Sequence, residues 1–206
     1  MENDRTKGLM LAFATFFMWG VFPIFFKLIK NVDAVQILAH RVVWSFVLLL
    51  VFLCFTHRLK NVARLLSTPK IALTLLCTGL LISTNWGIYI YAVNSDQILA
   101  TSLGYFINPL FSVLLGALFL RERLSAAAKF SLLLAFAAIG VQIYALGRLP
   151  IISLVLPLSF AFYGLIRKKV KVPSFEGLLC ETALMLLPAL AFLIYCALKG
   201  SGAFGF

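Results

Sequence analysis

The chain has 206 residues, of which 63% are apolar and 12% charged, where an ordinary soluble domain carries roughly 25% charged residues. With mean hydropathy at +1.04, there is too little polar surface for a soluble globule or a disordered chain. The formal net charge of +11 lies in short gaps between apolar runs and makes no continuous basic face, so it anchors topology and does not point to nucleic acid.

Lipid admits only helices or closed barrels, and long unbroken apolar runs select the helical solution. The expected fold class is all-α, a polytopic transmembrane helix bundle. About 20 apolar residues cross the hydrocarbon core. Seven segments qualify: Gly8–Lys30, Ala34–Thr56, Lys70–Val93, Gln97–Leu120, Ser125–Leu146, Leu149–Val170 and Gly177–Leu198. The first carries Trp19 and Pro23 and lacks a small-residue cleavage site, which marks a retained helix and not a signal peptide.

Cations set the orientation. With a cytoplasmic N-terminus, the inside set is Arg5, Lys7, Arg58, Lys60, Arg64, Lys70, Arg121, Arg123, Lys129, Arg167, Lys168, Lys169 and Lys171. The outside set is Lys27, Lys30, Arg148 and Lys199, and Arg41 falls within a span. The positive-inside rule therefore puts the N-terminus in the cytoplasm and the end of this chain outside.

Nothing in the sequence suggests an enzyme, a cofactor or a bound metal. Cys54, Cys77, Cys180 and Cys196 form no CxxC pair, and the two histidines cannot build a polyhistidine site. No GxSxG, HExxH or Walker loop is present. The partners expected are the lipid bilayer and a small-molecule solute, and a homodimer is compatible with the pattern.

Polar residues inside spans carry the information, because each must find a partner or line water. In the first span, Pro23 frees the carbonyl of Trp19 and predicts a kink. In the second, His40 shares a face with Gln36 and Trp44, and Arg41 lies one position on. Arg41 must pair, snorkel or face an aqueous vestibule, and His40 is either a satisfied structural group or a titrating one. The third span puts Thr74, Thr78, Asn85 and Tyr89 within about 60° on a helical wheel, beside Trp86. The fourth aligns Thr101, Tyr105, Asn108 and Ser112, with Gly116 continuing the stripe.

Pro109 removes the hydrogen bond that the Tyr105 carbonyl would accept, a feature suited to a broken-helix binding site. The stripes fit two roles, helix–helix glue or the wall of a polar, aromatic-lined cavity. In the fifth span, Ala135, Ala137, Ala138 and Gly140 favour close packing. Glu181, the one acid well inside a span, suits either proton coupling or interfacial pairing with Lys169 or Lys171.

An internal echo organises these spans. Shifted by 140 residues, the second span overlays the seventh, setting Val32 on Val172, Leu38 on Leu178 and Arg41 on Glu181. The first and sixth align at a slightly different shift, with Trp19-Gly20 over Tyr163-Gly164. The repeating unit is thus five helices long, and an odd unit inverts when duplicated, as in secondary transporters.

WGVFPIFFK, AHRVVWS, NWGIYIYAVN, SLGYFINPL and RERLS resemble the RarD ("chloramphenicol-sensitive protein") branch of EamA-type permeases in the drug/metabolite transporter superfamily. That resemblance implies a ten-helix fold of two inverted halves, an inner-membrane location and alternating access. Residues 1–146 would be the first five-helix unit and residues 147–206 the first two helices of a second, giving a C-terminally truncated version. It also implies a solute pathway walled by Asn85, Trp86, Tyr89, Tyr105 and Asn108, to which Trp19 is added. His40, Arg41 and Glu181 would gate or couple, and Pro23 and Pro109 would hinge. The expected function is transport, in the export direction, of small organic solutes such as drugs, amino acids or metabolites. The alternative is a truncated, non-transporting membrane remnant or scaffold.

Overall fold

The computed structural model describes residues 2–147 and 150–203; Arg148 and the start of the predicted sixth span at Leu149 lie outside the described residues. It has eight helices: α1 Glu2–Leu28, α2 Ala34–Phe55, α3 Leu59–Leu66, α4 Pro69–Asn94, α5 Ile98–Leu120, α6 Ala126–Leu146, α7 Ile151–Val170 and α8 Ser174–Leu198. Seven of them are long and apolar enough to cross a membrane. The eighth, α3, was not expected. It turns Val62 inward, with Leu59, Leu65 and Leu66 packed on the same cluster, and leaves Lys60, Asn61 and Arg64 exposed.

Local chemistry fixes the ends. The Asp33 carboxylate caps α2 by accepting from the N–H groups of Val35 and Gln36 at 2.9 and 3.3 Å. Ser125 caps α6 through the N–H of Ala128 at 3.2 Å, and Pro69 starts α4 where a missing N–H does no harm. Three helices close with the same paired bonds back to the last turn. Arg58 and His57 donate to Leu53 and Cys54, Gln97 and Asp96 to Ala92 and Val93, and Ser201 and Gly200 to Cys196 and Ala197. The left-handed position falls on His57, Asp96 and Gly200. Asp96 is also held by Lys27, whose hydrogen bond and charge keep its carboxyl below the ordinary range.

Ion pairs and caps sort the helix ends. Lys27 with Asp96, Ser153 with the Ala100 carbonyl and Gln36 with the Ser201 carbonyl mark one end. Arg58 with Glu176 and Lys168 with Glu122 mark the other. The described cations assigned to the inside share this second, cation-rich end.

Helix α4 is the axis, touching α1, α2, α3, α5, α7 and α8, whereas α6 packs on α5 at the edge of the described bundle. Two apolar clusters flank it. Phe26, Ile37, Tyr89, Ile90, Val93 and Leu156 fill one; Leu53, Val62, Leu75, Leu179 and Cys180 fill the other.

Helices α1 and α5 continue through Pro23 and Pro109, since a proline removes one bond that the rest of a long helix outweighs. One expectation needs correction. The small residues of α6 are not in close packing: Ala137, Ala138 and Gly140 are exposed, and nothing lies within 4 Å of a Cβ placed on Gly140. Close approach occurs instead at Gly104, where an added Cβ would sit 3.3 Å from the Ser153 backbone and 3.4 Å from Leu156. Gly104→Leu should therefore prise α5 from α7 and destabilise the chain by about 1–3 kcal/mol. Gly164→Leu on the open face of α7 should stay within about 0.5 kcal/mol, with unfolding in detergent as the readout.

Candidate functional site

The α4 stripe predicted from Thr78, Asn85 and Tyr89 is buried, and it faces two different polar groupings. The first gathers around Asn85, which is 1% exposed. Its amide nitrogen donates to the Leu156 carbonyl at 2.8 Å and to Ser159 Oγ at 2.9 Å, both on α7. Its oxygen accepts from the Tyr105 hydroxyl at 3.4 Å. Tyr105 packs edge-on to Tyr89, with ring centroids 5.7 Å apart, and Tyr89 to Trp86 at 5.5 Å. Phe22 and Phe26 of α1 extend the aromatic wall.

Into this wall reaches Arg41 of α2, its guanidinium carbon 3.4 Å from the Trp86 ring centre. A desolvated stack of that kind contributes roughly 2 kcal/mol. No ion pair among the described residues involves Arg41. The cation is thus stacked on one π face and not paired with a carboxylate among the described residues, so its net charge stays uncompensated there.

The second grouping lies about 10 Å further along α4, seven residues at 1.5 Å each. Glu181 of α8 is 1% exposed and accepts from Thr78 Oγ1 at 2.7 Å and from the Tyr163 hydroxyl at 3.4 Å. Arg167 Nε stands 3.6 Å away. Among the described residues this is the acid's ion pair, so Arg167 takes the place expected of Lys169 or Lys171. Gly177 permits it, since any side chain there would collide with the Arg167 guanidinium.

Other predicted residues scatter. Asn108 is half-buried on α5, and its side-chain oxygen is buried without a hydrogen-bond partner. Trp19 is not part of the wall; it is 43% exposed on α1 and packs edge-on against Phe16, because α1 meets the bundle only through its last turns. His40 is half-buried beside Arg41. Sequence reasoning missed Ser153, Ser159 and Arg167. The signal available was the Ser-x-x-x-Pro-x-Ser pattern around Pro157, where small hydroxyls accompany a helix proline.

Comparison with known proteins now bears on this arrangement. The model of the EamA-like transporter family matches residues 6–144. The chain belongs to this family. Within it, the chain is 45% identical over 196 residues to an uncharacterized transporter of Vibrio cholerae, covering 95% of this chain and 65% of that protein. It is 46% identical to Protein RarD of Salmonella typhimurium, over 95% of this chain and 66% of the relative. Protein RarD of Escherichia coli is 42% identical, over 98% and 68%. The chain thus spans about two thirds of the length of these relatives, and it is a RarD-type EamA chain. No solved structure matches it.

For this EamA chain, the geometry separates the two amides. Asn85→Leu should lose two buried interhelical bonds and destabilise by about 1–2 kcal/mol. Asn108→Leu, removing an unpartnered oxygen, should be neutral or stabilising. Unfolding of both variants in detergent measures the contrast, and equal losses would contradict the assigned network.

Proposed function

We propose that this chain is the solute-handling part of a permease that moves small organic solutes, such as drugs, amino acids or metabolites, across the bacterial inner membrane by alternating access, in the export direction. The observation that carries the reading is the Arg41 guanidinium stacked on Trp86 beside Tyr89 and Tyr105, without a carboxylate paired to it among the described residues. A half-buried cation stacked on an aromatic face favours solutes that bring a carboxylate or other anion together with a flat apolar body.

Asn85 and Asn108 supply amide contacts, and Pro23 and Pro109 supply points of helix compliance. Glu181 is the coupling or gating carboxylate at the far grouping, with His40 as the titratable neighbour of the anchor. The cation-rich end is taken as cytoplasmic.

One observation favours a second reading, a non-transporting scaffold. The Asn85 amide nitrogen donates to α7 and its oxygen accepts from Tyr105 of α5, as interhelical glue would. Flux decides between them. The chain is reconstituted into vesicles, and uptake of radiolabelled chloramphenicol and of aromatic amino acids is followed. Arg41→Gln and Trp86→Ala should each lower flux at least about tenfold, with Arg41→Lys intermediate because it keeps the charge and loses the planar stack. Unchanged flux in all three removes the proposed anchor, and a parent chain that moves neither solute above empty vesicles supports the scaffold.

A further inference from the structure

A cavity of about 400 Å³ opens at the cation-rich end between α4 and α7, lined by Lys70, Ile71, Thr74, Ile166, Lys169 and Val170. None of its lining residues belongs to either polar grouping, and the transport reading does not use it. Its composition is split. Ile71, Ile166 and Val170 give an apolar wall, and two ammonium groups stand at its mouth.

Neither lysine belongs to an ion pair among the described residues. Glu122, an acid at the same end, is taken by Lys168 at 2.7 Å, and Glu176 faces Arg58. Lys169 has only the distant face of Phe119, 5.8 Å from its nitrogen. The Thr74 hydroxyl donates to the Lys70 carbonyl at 2.7 Å, so its proton is committed within α4 and the ammonium groups are the charged donors at the mouth. Beside the cavity, α4 begins at Thr68 and Pro69 without a side-chain cap on its first N–H groups, an arrangement that adds to the positive potential.

The depth of the cavity also fits. The amphipathic α3 lies at the same end, Val62 inward and Lys60 and Arg64 outward, as a helix does in the plane of an interface. Lys70 follows α3 by four residues, so the mouth sits at headgroup level while the isoleucines face the acyl region.

We propose that this cavity binds an anionic phospholipid, with the phosphate between Lys70 and Lys169 and the upper acyl chain against Ile71, Ile166 and Val170. Basic pockets between spans are suited to such headgroups. A zwitterionic lipid would bring a cation of its own with the phosphate, and would leave the net charge of the two ammonium groups uncompensated at the edge of the hydrocarbon.

The test measures thermal unfolding of the detergent-solubilised chain titrated with dioleoyl phosphatidylglycerol or dioleoyl phosphatidylcholine, with native mass spectrometry counting retained lipid. Phosphatidylglycerol should stabilise the chain saturably and phosphatidylcholine should not. The K70Q/K169Q pair, both exposed and outside the apolar clusters, should weaken apparent affinity roughly 10- to 30-fold. K30Q/K199Q at the opposite end should change it by less than about twofold. Equal stabilisation by the two lipids, or undiminished phosphatidylglycerol affinity in K70Q/K169Q, overturns the proposal. So does inorganic phosphate that reproduces the effect, since it would assign the lysines to a free anion and leave the apolar wall without a role.

Discussion

A polar group inside a bundle surrounded by hydrocarbon has no water to fall back on, so its partners must come from neighbouring spans. In this chain that demand converges on one helix. Helix α4 presents Thr78, Asn85 and Tyr89 from a single buried face, and each is answered from outside α4: Thr78 by Glu181, Asn85 by Leu156 and Ser159, Tyr89 by the ring of Tyr105. The position of α7 follows from this. It cannot slide along α4 by even one turn without stranding the Asn85 amide, and Gly104 lets α5 close on its other side. The polar contacts thus set the register that apolar side chains, indifferent between lipid and protein, cannot set alone.

The two groupings along α4 differ in chemistry. Around Asn85 the cation Arg41 is matched by aromatic faces; around Thr78 the anion Glu181 is matched by hydroxyls and by Arg167. The second carries its own counterions, since Glu181 and Arg167 face each other within the protein, although Arg167 Nη1 is buried without a hydrogen-bond partner. The first has no carboxylate against Arg41 among the described residues. That asymmetry is why the proposed solute anchor is Arg41, while Glu181 ties α8 to α4 and α7 and is the proposed coupling or gating carboxylate.

Much of this was legible in the sequence, for definable reasons. Span number followed from run length, since the bilayer imposes a minimum that chance seldom meets. The stripe on α4 followed from the 100° period. Its partners did not, because Ser159 and Arg41 lie 74 and 45 positions from their α4 contacts Asn85 and Trp86, and periodicity says which face is polar but not which helix covers it. Helix α3 escaped because eight residues fall below any spanning window. The Glu181 partner was misplaced by a turn, since Lys169 and Lys171 are nearer in the hydropathy gap, yet only Arg167 has both the reach and the room left by Gly177. The alanines of α6 misled for the opposite reason: small residues permit close packing but do not compel it.

Contacts divide the bundle into two bodies, and the division bears on motion. Helices α2 and α8 pack along their length, with Phe52 and Phe175 4.9 Å apart at the cation-rich end and Gln36 bonded to Ser201 and Ala203 at the other. Helices α4, α5 and α7 form the second body through Asn85–Ser159, Ser153–Ala100 and Lys168–Glu122. Between the bodies run two polar links, Arg41 on Trp86 nearer one end and Glu181 on Thr78 and Arg167 nearer the other. Apolar clusters also bridge the bodies, Ile37 with Tyr89 and Ile90 nearer one end and Leu53 and Leu179 with Leu75 nearer the other, so opening either end breaks the link there together with its apolar contacts. A solute anion able to replace Trp86 as the partner of Arg41 would compensate for one such opening, whereas the Glu181 link needs a different compensating event, such as loss of the carboxylate charge. Two dissimilar links to a shared α4 thus join the bodies through different chemistry, a cation on an aromatic ring nearer one end and a carboxylate with hydroxyl and guanidinium partners nearer the other.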